Sequence, residues 1–94
     1  NVPAQALILL NDPLVRQQCE RWAERMLADK ALTTEQRLAR MSELAWNRTA
    51  NKDELAALQA LLKTQAETLG IPAAQAETNA LVWADVAQVL VNSK

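Results

Sequence analysis

The sequence predicts an all-α fold, a compact bundle of about five helices, and three observations carry that reading. Half of the residues are hydrophobic, mostly Ala and Leu, and both are strong helix formers. Turn formers are scarce, with one Gly and three Pro in the chain. Apolar side chains recur at three- and four-residue intervals, and cap-forming residues stand between the periodic stretches. At 94 residues the chain makes a single helical domain spanning 1–94. A domain of this size buries roughly 60–65% of the surface of its unfolded chain, enough for one core and no more.

The chain is organised around the stretch from Ala6 to Val15. Five apolar residues, Ala6 to Leu10, precede the polar pair Asn11-Asp12, and Pro13 restarts the chain. Asn1 is a cap for a first helix over about Val2 to Leu10. Its apolar residues lie on nearly every side, so it should be buried. Pro13 cannot donate the backbone hydrogen bond of a continuing helix, but it suits a first helical position. Asp12 should then cap a second helix over about Pro13 to Ala28. Val15, Cys19, Trp22 and Met26 form that helix's apolar stripe, widened by Ala23 and Leu27. Arg16, Arg21, Glu24 and Arg25 should face outward.

After a loop from Asp29 to Leu32, Thr33 and Gln36 stand at the spacing of a capping box. They open a third helix over about Thr34 to Asn47, with Leu38, Met41, Leu44 and Ala45 inward. Arg48, Thr49 and Ala50 form the next loop. Asn51 and Glu54 repeat the capping arrangement for a fourth helix, whose buried face holds Leu55, Leu58, Leu61, Leu62 and Leu69. Gly70 falls just past the last periodic leucine, the place of a left-handed C-terminal residue, and Pro72 blocks continuation. A fifth helix should run from about Ala73 to Asn92. Thr78, Asp85, Gln88 and Asn92 lie on one narrow stripe, the only part expected to face water. That helix should therefore be central, or be covered in part by chain outside these 94 residues. The expected core comprises Leu7, Leu10, Val15, Trp22, Met26, Leu38, Met41, Leu58, Leu62, Trp83, Val86 and Leu90.

Chemistry is excluded more readily than it is found. The chain has no His, so imidazole catalysis and imidazole ligation of zinc or haem have no ligand here. Cys19 stands alone on an apolar stripe and reads as a small buried hydrophobe rather than a reactive thiol. Ser42 and Ser93 lack an activating base. Adjacent acids such as Asp53 and Glu54 do not converge on one point of a helix surface. No catalytic constellation, metal set or cofactor site is expected in this fragment. Asn47-Arg48-Thr49 matches the glycosylation acceptor pattern, which is short and common by chance.

The net charge of −1 gives no general attraction to nucleic acid or anionic lipid. All six Arg fall between Arg16 and Arg48, but acids are interspersed, which favours solvated helix faces with local ion pairs over a nucleic-acid surface. No run of 18 apolar residues is present to span a membrane. Arg48 follows an apolar helix end, where a cation suits the helix dipole. It is expected as a cap or a buried ion pair, with Asp12 as a partner across the bundle, or else as a ligand contact.

The run Asn1-Val2-Pro3-Ala4-Gln5-Ala6-Leu7, continuing into Leu9-Leu10-Asn11-Asp12-Pro13, resembles the C-terminal part of a planctomycete-specific domain family of unknown function. The pattern there reads approximately Asn-Thr-Pro-x-Gln-Ala-Leu, then Leu-Leu-Asn-Asp-Pro, and Val2 and Ala4 depart from it modestly. Ala45-Trp46-Asn47-Arg48, followed by Asn51-Lys52-Asp53-Glu54-Leu55, is similar to a second segment of the family. The usual Leu-Gly-Arg is Trp-Asn-Arg here, and the usual Pro after the arginine is absent. Val89-Leu90-Val91-Asn92-Ser93 is similar to the family's terminal segment, so the resemblance spans nearly the whole chain.

These domains sit in large exported proteins alongside c-type cytochrome domains. The resemblance implies a C-terminal fragment of a larger domain, an exported (periplasmic or cell-surface) location, and haem only elsewhere in the parent protein. A start at Asn1 agrees with a piece of a longer chain. The resemblance supplies no reaction.

Three functional expectations follow. The first is a structural or interaction module that packs on upstream chain or a protein partner, or self-associates through exposed apolar helix faces. In the second, Asn1, Gln5, Asn11, Asp12 and Arg48 contribute polar groups to a ligand or active site completed by upstream chain. The third and weakest is a nucleic-acid-binding helical domain using the Arg-rich second and third helices.

Overall fold

The computed structural model describes residues 13–92. The helix expected over Val2 to Leu10, the Asp12 cap and the core positions Leu7 and Leu10 lie outside the described residues. Four α-helices and one 3-10 helix follow in order: α1 (Pro13–Ala28), α2 (Thr34–Trp46), α3 (Lys52–Thr68), the 3-10 helix (Ala73–Thr78) and α4 (Ala80–Asn92). Among the described residues the fold is all-α, with no strand.

The helix ends are set by local hydrogen bonds. Gln36 N–H donates to Thr33 Oγ1 at 3.1 Å, and Thr33 N–H donates to Gln36 Oε1 at 2.9 Å. This reciprocal pair satisfies two backbone donors that a helix start otherwise leaves unbonded. Asn51 and Glu54 do the same for α3, at 3.0 and 2.8 Å. Helix α2 stops at Asn47, in the left-handed region with φ 57°. Asparagine enters that region more readily than other non-glycine residues. It thereby fills the position where the resembled pattern carries glycine. Helix α3 closes with Gly70 at φ 73°. Ile71 N–H donates back to Ala66 O at 2.8 Å and Gly70 N–H to Glu67 O at 3.1 Å, the two bonds of a Schellman motif.

The expected fifth helix is divided. Ala73–Thr78 is a 3-10 helix, and Asn79 leaves helical geometry with ψ 120°. Its Oδ1 accepts from Leu81 N–H at 2.9 Å and Val82 N–H at 3.3 Å, so Asn79 is the N-cap of a new helix. Trp83 Nε1 donates to Glu77 O at 2.9 Å, which ties the two pieces together at a corner.

Helix α4 is the centre of the core. It packs on α1, α2, α3 and the 3-10 helix, most extensively on α1. Val82, Trp83, Ala84, Val86, Ala87 and Leu90 are wholly buried. Met26, Leu38, Met41, Leu58 and Leu62 are buried as expected, while Val15 and Trp22 are only partly so. Two leucines expected inside are not. Leu44 is 65% exposed and Leu69 is 43% exposed. Leu44 sits at the edge of the α2 stripe, on the wall of a groove between α2 and α1. Leu69 is past the end of α3, so the period of that helix no longer governs it.

The water-facing stripe of α4 is also reassigned. Gln88 is buried and Asp85 half-buried, while Leu81 and Val89 are exposed. The polar stripe turns toward α1, where Arg16 meets it, and part of the apolar surface is left outside.

Candidate functional site

Of the polar residues expected to form a site, Asn1, Gln5, Asn11 and Asp12 lie outside the described residues. Arg48 is described, and it is neither buried nor a helix cap. Its Nη1 and Nη2 donate to Glu54 Oε1 and Oε2 at 2.8 and 2.6 Å, a two-pronged pair at the start of α3. The guanidinium also lies 4.9 Å from the centre of the Trp46 ring. The Arg48 side chain remains 55% exposed, which corrects the expectation of a buried ion pair. Glu54 is six residues on in sequence, and the short α2–α3 loop brings it within reach of Arg48. The Arg48 hydrogen bonds and then the Asn51 backbone N–H lower the Glu54 carboxyl pKa to about 2. The same pairing raises the Arg48 pKa. This constellation fastens the α2–α3 corner.

A second, part-buried polar constellation lies where α1, α3 and α4 meet. Arg16 Nη1 donates to Asp85 Oδ1 and to Gln88 Oε1, each at 2.5 Å, and its Nε donates to Glu20 at 3.3 Å. Gln65 Nε2 of α3 donates to Asp85 Oδ2 at 3.1 Å. Three helices are thus joined at one carboxylate. Burial by itself would lower the Arg16 pKa, but the hydrogen bond and charge of Asp85, followed by those of Glu20, outweigh it and raise the value. Arg16 was expected to face outward. It does not, because Asp85 and Gln88 on the central helix lose much of their water and take a donor from Arg16 instead. The available signal was the isolation of these two polar residues in an otherwise apolar stretch.

Arg37 is likewise buried. Its Nε donates to Met26 O and one Nη to Asp29 O, both at 3.0 Å. It satisfies carbonyls at the C-terminal end of α1, where a cation also suits the helix dipole.

A groove of about 540 Å³ lies between α1, α2 and the C-terminal end of α4. Helices α1 and α2 each pack on α4 more than on one another, and the groove lies between them. Val15, Cys19 and Trp22 form one wall, Leu44 and Ala45 the other, and Val91 contributes from α4. Gln18, Arg21 and Arg25 follow the rim along α1. Cys19 is almost fully buried, and desolvation raises its thiol pKa, with a smaller contribution from Glu20 opposed by Arg16. That thiol packs in the core, and its raised pKa keeps it in the less nucleophilic thiol form. Among the described residues no group of three or more His, Cys, Asp or Glu could hold a metal ion. No described helix is long and apolar enough to cross a membrane.

The family described as a protein of unknown function, PSD1 (DUF1553), matches residues 1–62. The chain belongs to this family. The match covers α1, α2 and α3 as far as Leu62, including both groove-lining helices and the Arg48–Glu54 corner. The likeness read at Val89 to Ser93 lies beyond it. No curated protein and no solved structure matches the chain.

Proposed function

We propose that this DUF1553 domain is a structural and interaction module of a larger exported bacterial protein, and that it packs against another polypeptide surface of its parent chain or of a partner. The observation that carries the reading is the apolar groove between α1 and α2, with Leu44 65% exposed on its wall and Trp22 and Val91 only partly covered. Large apolar side chains grouped in a concavity are a common mark of a protein-binding surface. The polar clusters support the same reading. Arg16, Arg37 and Arg48 are each committed to carboxylates or carbonyls of the fold and hold helices together. Export, and a parent protein carrying c-type haem elsewhere, rest on the resemblance of the Asn1 to Pro13 motif.

The test is surface hydrophobicity and association of the 94-residue chain. A hydrophobic dye should bind, and Leu44→Lys should reduce the binding with the helical circular dichroism spectrum unchanged. A chain that binds no dye and stays monomeric at all concentrations refutes the reading.

A further inference from the structure

Resting on the interaction reading above, we infer that the α1–α2 groove receives an acidic amphipathic helix of a protein partner. The groove is asymmetric in charge. Among the described residues Arg21 and Arg25 line it and no acid does, in a chain whose net charge is −1. Two further hollows show no such bias: the one between α3 and the 3-10 helix mixes Lys63 with Glu67 and Glu77, and the one at the start of α1 sets Arg16 beside Glu20.

The asymmetry follows from helical geometry. Gln18, Arg21 and Arg25 recur at three- and four-residue steps beside the Trp22 stripe, whereas Glu20 and Glu24 fall toward the opposite flank of α1. Glu20 is already paired with Arg16. Arg21 and Arg25 have no hydrogen bond or ion pair among the described residues. Two unpaired guanidiniums beside a half-buried indole and an exposed leucine are complementary to an apolar stripe edged with carboxylates.

The shape selects a helix. Two helices that both lean on α4 and only slightly on each other leave a trough between them, and an amphipathic helix fills such a trough with side chains at i, i+3 or i+4, and i+7. Carboxylates along one edge of that helix then pair with the guanidiniums in two-pronged geometry.

The test uses the full chain and two labelled synthetic helices of about five turns. They share one leucine stripe and differ only in carrying Glu or Lys beside it. Binding is read by fluorescence anisotropy. The Glu helix should bind about tenfold more tightly than the Lys helix, and the preference should shrink between ~0.05 M and ~0.5 M salt. The double variant Arg21→Glu/Arg25→Glu, at two exposed positions, should reverse the preference with an unchanged circular dichroism spectrum.

Equal binding of the two helices, with loss on Leu44→Lys, overturns the acidic occupant and leaves the interaction reading standing. So does dye binding with no binding of either helix. Failure of dye and helices together removes both. Tighter binding of a single-stranded oligonucleotide than of the Glu helix, with a steep salt dependence, overturns the inference in favour of a nucleic-acid ligand.

Discussion

Replacing Arg16 by Met tests whether the Arg16–Asp85–Gln88 cluster holds α1 on α4. The substitution keeps most of the apolar stem and removes the charge and its hydrogen bonds. Two of those bonds are at 2.5 Å, to Asp85 and Gln88, and a third is at 3.3 Å, to Glu20. A net hydrogen bond to a charged group contributes about 1.5–3 kcal/mol when buried. The side chains of Arg16 and Asp85 are 28% and 18% exposed, so solvent screens the pair in part. The Glu20 contact is a part-buried i, i+4 pair at the longer distance and adds less. Asp85 also keeps its bond from Gln65.

The expected loss is therefore about 2 kcal/mol, set between the surface and buried limits. For a domain of this size that is a fall in Tm of roughly 8–16 °C. Asp85→Leu alone should cost a similar amount, because it leaves Arg16 half-buried beside Gln88 with only the longer Glu20 contact as counter-charge. The double variant should be less destabilised than the two single losses added together, since both desolvated charges are then gone. Thermal and urea unfolding followed at 222 nm give the cycle. Single losses below about 0.5 kcal/mol with no coupling would place this cluster with ordinary surface pairs and refute the argument.

Arg37→Ala should destabilise by roughly 1.5–3 kcal/mol, because it strips a charged donor from the Met26 and Asp29 carbonyls; urea unfolding measures this. Trp83→Ala should cost about 3–5 kcal/mol, since the indole is wholly buried in the first turn of α4, and a loss under about 1 kcal/mol would show that α4 is not central. Glu54 predicts an acid dependence. Its pKa is lowered on folding to about 2, so its contribution is complete above the unfolded-state carboxylate value and is lost as pH falls toward 2. Glu54→Gln keeps a capping side chain, and its Tm should differ from the parent's at pH 6 and converge with it near pH 2. Thr33→Ala, which removes a cap whose geometry is complete, should cost ~0.5–2 kcal/mol by the same unfolding assay.

The comparison of sequence with structure divides by range of interaction. Helix class, the capping boxes at Thr33–Gln36 and Asn51–Glu54, and the glycine stop at Gly70 were all legible in the sequence. Each depends on bonds between residues at most five apart in the chain, so the spacing of residue types determines it. The Asn79 cap obeys the same rule, but the apolar run that follows it continues the helical period and hides the break between the 3-10 helix and α4. The left-handed Asn47 was signalled by its place where the family pattern has glycine.

What only tertiary structure decided is which face of each helix meets a neighbour. Periodicity fixes the angle between Asp85, Gln88 and the apolar stripe of α4, but a polar stripe is stable either in water or against a buried donor. The donor is Arg16, 69 residues from Asp85 in sequence, and it reaches the site because α1 packs along α4. The same limit kept the fates of Arg37 and Leu44 out of reach of the sequence. A buried guanidinium needs carbonyls from the end of another helix. A leucine on an amphipathic stripe stays exposed when no helix arrives to cover it. The groove belongs to that second class, since it is the gap left where two helices lean on a third.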